Sequence, residues 1–296
     1  MKDKIFYILI SILLLAGIYI GLYPVLSDMH STINQKDVIL SYNKDIINLS
    51  DSAIAEEFKK CYTYNEKIYN MWKTSIFQYQ GAKKTDKEYE SLLNTKQTMG
   101  YINVPSANIT VPIVHGTKDE DLDGNAGHMY LSSLPVGGKN TKAIIAAHTG
   151  LPSAKLFSDL NKVKVGEYFY VHVLNKTLCY KIVEINVCMP EEEFHYLQIE
   201  PGRDLCTLYT CTPYGINDHR LIVTGEHIES MDTIDEKNIS EDNITTSTDS
   251  ISLQIKFYVL LFSPIVLYLI IMSTIIIIKK KKNKNKNKNE KKEVIS

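Results

Sequence analysis

The residues of this chain best suited to covalent chemistry lie in Thr207-Leu208-Tyr209-Thr210-Cys211-Thr212-Pro213-Tyr214-Gly215, with Arg220 nine residues after the cysteine. A β-prone run leads into Cys211 and a Pro-Gly turn follows it. A second β-prone run, Leu221-Ile222-Val223-Thr224, starts directly after Arg220. A turn between two strands tends to bring both side chains to one end of a sheet. A thiol attacks as its thiolate, which a positive neighbour favours. An acyl-transfer transition state needs a cation or N–H donors at its oxyanion. Cys211 and Arg220 can supply both. The missing part is an acid or base. A plausible third member is His148, which ends another buried-looking run, Ala143-Ile144-Ile145-Ala146-Ala147-His148-Thr149-Gly150.

The elements that must position these groups are short strands. After Met99 the chain turns into β-prone runs at 100–104, 109–114, 142–147, 168–173, 178–187, 205–210 and 220–226, punctuated by Gly, Pro and Asn. Such spacing predicts a β-barrel or sandwich. Residues 156–160 read as a short helix among the strands. Before Met99 the pattern is helical. Val38, Tyr42, Ile46 and Leu49 recur at three and four residues, and Ile54, Phe58, Cys61, Tyr62, Asn65 and Tyr69 continue the spacing on a second segment. Ser50-Asp51-Ser52 breaks the two or caps the second. Residues 81–87 read as an exposed loop, ending in a short helix at 88–93.

Two uncharged apolar runs frame this region, at 5–23 and 257–278, each of bilayer-spanning length. Lys2 and Lys4 precede the first, and no clean small-residue cleavage site follows it. Lys279-Lys280-Lys281-Lys282 follow the second. Lysines at membrane edges favour the cytoplasmic side. The expected order is therefore a cytoplasmic start at 1–4, a membrane helix at 5–23 and an outer helical and lid-like region at 31–99. A β domain at 100–228, an acidic Ser/Thr-rich linker at 229–252, a membrane helix at 257–278 and a basic cytoplasmic tail at 279–296 complete it.

Net charge is −1 because the tail lysines balance acidic stretches elsewhere. Beside a membrane span those lysines suit anionic lipid rather than nucleic acid. Five cysteines are odd in number and too sparse for a disulfide scaffold. Cys61 lies in a helical segment, and Cys179, Cys188 and Cys206, in β-prone runs with apolar neighbours, read as small core hydrophobes. His115 and His128 share a region with Asp119, Glu120, Asp121 and Asp123. Their spacing matches no metal motif, and a solvated loop is the expectation.

With His148, Cys211 and Arg220 in that order, the chain resembles the sortases, closely so the class C, pilin-polymerising group. Thr207-Leu208-Tyr209-Thr210-Cys211 matches the family's Thr-Leu-x-Thr-Cys motif. Supporting segments are His148-Thr149-Gly150-Leu151-Pro152, His115-Gly116-Thr117, and Ser132-Ser133-Leu134-Pro135-Val136-Gly137-Gly138. The resemblance covers roughly 31–228 and both spans. It implies a mainly β fold, an eight-stranded sortase-type barrel preceded by helices. It implies Cys211 as nucleophile, His148 as acid/base and Arg220 as oxyanion stabiliser. The implied reaction cleaves a Leu-Pro-x-Thr-Gly-like sorting signal, forms a thioester and transfers it to an amine. That amine is a pilin lysine or a cell-wall precursor. No nucleotide, metal or other cofactor is required. Class C relatives usually carry an Asp-Pro-aromatic lid motif, which is missing from 71–93; Trp72, Phe77 and Tyr79 are the candidates to plug the cleft instead. A papain-like hydrolase would place its cysteine before its histidine, the reverse of this order. A wall-anchored surface protein would carry a sorting motif before residue 257, and none is there.

Overall fold

The computed structural model describes residues 2–74, 86–234, 251–274, 277–278 and 280–281. They fall into two compact units, 1–26 with 252–296 and 27–251. In the first, the opening part of helix α1 (Lys2–Ile47) and the C-terminal helix (Ile251–Thr274) present unburied apolar side chains such as Leu13, Ile20, Val259 and Leu267. Both helices are long and apolar enough to cross a membrane. The Tyr19 hydroxyl donates to the Leu261 carbonyl at 2.6 Å.

In the second unit, the rest of α1 and helix α2 (Asp51–Thr74) bury one face each. On α1 the buried stripe is Ile33, Ile39, Tyr42 and Ile46. Val38 and Leu49, expected on it, are exposed. A 3.6-residue period admits neighbouring stripes, and tertiary packing selects one. Tyr42, common to both stripes, anchors the buried face: its hydroxyl donates to the Met99 carbonyl and accepts from the Leu174 amide. Ser50 opens α2, its hydroxyl accepting from Ala53 N. Ile54, Phe58, Cys61, Tyr64, Asn65 and Ile68 are buried along it, while Tyr62 is exposed. A short helix α3 (Lys87–Ser91) is capped by Asp86, which accepts from Tyr89 N at 2.8 Å.

The strands are β1 (Thr98–Val104), β2 (Ile109–His115), β3 (Ala126–His128), β4 (Thr141–Ala146), β5 (Tyr168–Val173), β6 (Lys176–Cys188), β7 (Asp204–Thr212) and β8 (His219–His227). They pair in the order β5-β1-β2-β3-β4-β7-β8-β6, and β6 pairs back to β5, closing an eight-stranded barrel. A two-residue β9 (Thr233–Ile234) adds to β6 outside the ring. The β2–β3 and β4–β7 ladders are parallel and the other ring ladders antiparallel. Ile102, Ile113, Ile145, Phe169, Ile182, Leu208 and Val223 fill the interior. Gly225 keeps that packing possible, because a Cβ there would lie 2.4 Å from the Phe169 ring.

Two local expectations fail. Residues 156–160 form turns, with a 3-10 turn only at Leu160–Lys162. His115 and His128 are not in a solvated loop. His128 is fully buried between the Tyr89 hydroxyl and the Ser133 carbonyl, and His115 bonds the Leu92 carbonyl at 2.7 Å. Burial pulls the His128 pKa down to about 4, so it stays a neutral part of the frame.

Candidate active site

Alternation along β7 sorts its side chains. Cys206 and Leu208 enter the barrel core, with Thr210 buried on the same side. Tyr209 and Cys211 take the other face, where Tyr209 packs on a smaller cluster of Met129, Ile144, Cys188, Leu197 and Ile222. The antiparallel β7–β8 register sets Cys211 directly opposite Arg220. Residues opposed in this way project to the same face. Cys211 is therefore a strand residue beside its cation, half-buried rather than enclosed.

His148 arrives from β4. The β4–β7 ladder pairs Ala146 with Tyr209, and Ala147 N extends it to the Tyr209 carbonyl at 3.1 Å. The Thr210 hydroxyl reaches the Ala147 carbonyl at 2.6 Å and the Thr149 hydroxyl at 2.8 Å. His148 thus lies between two residues tied to Thr210. Alternation places Ala147 with the core and His148 on the Cys211 face. Its loop closes through Phe157 N to the His148 carbonyl and Gly150 N to the Ser158 hydroxyl. Gly150, at φ +82°, packs against Tyr214 and Gly215 of the turn that follows Cys211. Tyr214 and Ile216 are exposed on that turn. His219 bonds Asp218 on the surface at 2.7 Å.

Arg220 is held in detail. Its Nε donates to the Tyr209 hydroxyl at 2.8 Å. Nη1 donates to the carbonyls of Asn217 (3.2 Å) and His219 (3.1 Å). The Tyr209 hydroxyl donates in turn to Glu193 Oε2 at 2.5 Å, and that oxygen lies 3.7 Å from Arg220 Nε. Partial burial opposes the Arg220 charge, but Tyr209, Cys211 and Glu193 together raise its pKa. Burial and Glu193 raise the Tyr209 pKa, keeping its hydroxyl a donor. Cys188 faces Arg220 from β6 but is buried, which raises its pKa. Cys61 is pushed up to about 12 by burial, and Cys179 and Cys206 are likewise raised. Such thiols are poor nucleophiles.

The structure therefore brings the three sequence-derived residues to one end of β7, and beside them Tyr209 links Arg220 to Glu193. Tyr209 sits inside the motif as its variable position. Glu193 is one of three consecutive glutamates, none distinguished by type or spacing. Trp72 stacks on Phe194 with ring centres 5.8 Å apart and donates to the Leu131 carbonyl. Phe77 and Tyr79 lie outside the described residues.

The sortase domain family matches residues 102–228, which span β1 through β8 almost completely. Sortase A of Streptococcus agalactiae is 30% identical over 200 residues, covering 63% of this chain and 78% of that protein. The chain belongs to the sortase family. This sortase is a cysteine transpeptidase by that membership. Sortase A of Bacillus anthracis is 26% identical over 134 residues, covering 45% of this sortase and 61% of that protein. Among solved structures, sortase C-1 of Streptococcus pneumoniae superposes with TM-score 0.59 at 39% identity, covering 65% of this sortase and 98% of that chain. Sortase C1 of Streptococcus agalactiae gives 0.59 at 37%, with 65% and 98% covered. Sortase C-1 of Actinomyces oris gives 0.54 at 40%, with 59% and 98% covered.

Proposed function

We propose that this sortase cuts a Leu-Pro-x-Thr-Gly-like sorting signal between threonine and glycine and joins the threonine to the side-chain amine of a pilin lysine, building a pilus. The Cys211–Arg220 cross-strand pair carries the reading, with His148 brought alongside by the β4–β7 ladder. Cys211 attacks the threonine carbonyl as thiolate. Arg220 donates to the resulting oxyanion. His148 gives its proton to the departing glycine amine, leaving a thioester. The lysine amine then attacks the thioester, its proton passes to His148, and the thiolate leaves. The acyl bond energy is carried through the thioester.

Residues 100–228 are the catalytic unit in this reading, with 31–99 as its helical support and 229–252 as a linker. Lys2, Lys4 and Lys279 to Lys282 support cytoplasmic termini and an outward-facing catalytic unit. A second reading is a wall-anchoring sortase of another class, with a cell-wall precursor amine as acceptor; the likeness to two proteins named Sortase A is what keeps it in view.

The test offers the full chain, in detergent, a sorting-signal peptide with a lysine-bearing pilin fragment and a wall-precursor peptide in competition. The expected product is an isopeptide to the lysine, preceded by an acyl adduct on Cys211. Exclusive use of the wall precursor would replace this reading with the second. An adduct on any other residue would remove the site assignment.

A further inference from the structure

We propose that Tyr209 is a spacer that holds the Arg220 guanidinium away from Glu193 and so keeps it available beside Cys211. The inference rests on the role given to Arg220 above. Glu193 Oε2 lies 3.7 Å from Arg220 Nε, too far for a direct hydrogen bond. The Tyr209 hydroxyl occupies the gap, accepting from Nε at 2.8 Å and donating to Oε2 at 2.5 Å. Nη1 is anchored by two backbone carbonyls. Two edges of the planar fork are thereby fixed, and among the described residues Nη2 donates to nothing. Charge-assisted bonds between a guanidinium and a carboxylate are strong and favour a bidentate fit. Without the hydroxyl, the partly buried pair closes the gap, and Arg220 shifts toward Glu193 and off the oxyanion position.

This spacer makes a non-additive prediction that a purely structural tyrosine does not. Tyr209→Phe keeps the ring in the cluster with Ile144 and Ile222 but removes the hydroxyl. Its kcat on the sorting-signal peptide should fall about 10- to 30-fold with KM within about twofold, as expected when an interaction of the transition state is displaced. Glu193→Ala leaves nothing for Arg220 to collapse onto, and kcat should stay within about threefold of wild type. The double variant should recover most of the activity lost in Tyr209→Phe, to within about threefold of Glu193→Ala.

Alkylation of Cys211 by iodoacetamide forms no oxyanion and reads only the thiolate that Arg220 favours, so in Tyr209→Phe its rate should fall less than kcat does and should recover in the double variant. All assays use the full chain in detergent, with near-UV circular dichroism as the fold check. Should Tyr209→Phe lose the fold, Tyr209→Met alone and with Glu193→Ala gives the same comparison. A double variant no more active than its tyrosine parent overturns the spacer, as does wild-type kcat in the tyrosine variant. Arg220→Ala run alongside separates the two levels. If it keeps wild-type turnover, the role of Arg220 falls; if it is inactive while the double variant fails to recover, only the spacer falls.

Discussion

At one end of the β7–β8 ladder, Arg203 has all its nitrogens on carboxylates. Nε and Nη2 reach Glu226 at 3.1 and 3.0 Å, and Nη1 reaches Glu200 at 2.5 Å. Beside it, His227 sits between Asp204 at 2.7 Å and Asp232 at 2.9 Å. At the other end, Arg220 meets one carboxylate at 3.7 Å, a tyrosine hydroxyl and two carbonyls, and it faces a half-buried thiol. The same residue types are saturated at one end and under-supplied at the other. Saturated groups have spent their hydrogen-bonding capacity on the fold. An arginine with a donor to spare can instead answer charge that appears only during a reaction. Perturbed titration alone does not separate the two ends, since both arginines are held more basic than usual.

The contrast breaks most visibly at Cys211. Cys211→Ala should abolish peptide cleavage, a loss of at least about 10⁴-fold in kcat, with the melting temperature within about 2 °C of wild type. Residual activity within tenfold would move the nucleophile elsewhere. Arg220→Lys keeps a charge but loses the planar fork, so kcat should fall about 100-fold; His148→Ala should fall on the same scale, with acylation the slowed step. Acyl-enzyme forming at the wild-type rate in the histidine variant would contradict proton donation to the leaving amine.

The saturated end should answer in stability rather than rate. Burial opposes the charge of His227, but Asp204 and Asp232 raise its pKa to about 9. A raised pKa stabilises fully below the unfolded value near 6.5, and that contribution is lost as pH rises through about 9. His227→Gln should therefore cost about 1–3 kcal/mol at pH 6 and much less at pH 9.5, with kcat at neutral pH unchanged. Equal melting of the two proteins at pH 6 would show that the pair of carboxylates contributes nothing. The smallest effect belongs to His219, whose ring pairs with Asp218 on the surface. His219→Ala should change kcat by less than about twofold, and a larger loss would enlarge the site beyond the groups named here.

Cys211 and Arg220 were legible because a short turn joins them; strand pairing of neighbours follows from local signals. His148 was legible only as a strand-end histidine. Its partnership depends on β4 lying parallel to β7, a pairing of distant segments that no local pattern encodes. The class of barrel came from the resemblance, since the strand spacing alone allowed a sandwich. β3 was missed because three residues, one a glycine, carry no alternation. Glu193 was missed because orientation, not residue type, distinguishes it from Glu191 and Glu192. The α1 stripe was legible at Tyr42 and Ile46, but Val38 and Leu49 are exposed and Ile39 is buried instead, a choice between adjacent residues that the helical period alone does not make.

The parallel β4–β7 ladder also sets a clock. β5 and β6 are made between the two strands, and β8, the last strand of the ring in chain order, carries Arg220. Distant pairings form later than local turns because their loop-closure entropy must be met first. The local β7–β8 turn brings Arg220 to Cys211 early, whereas His148 joins them only when the distant β4–β7 ladder forms. The full set of three side chains therefore exists only once that ladder is in place, and a partly folded molecule holds its thiol and cation without its histidine.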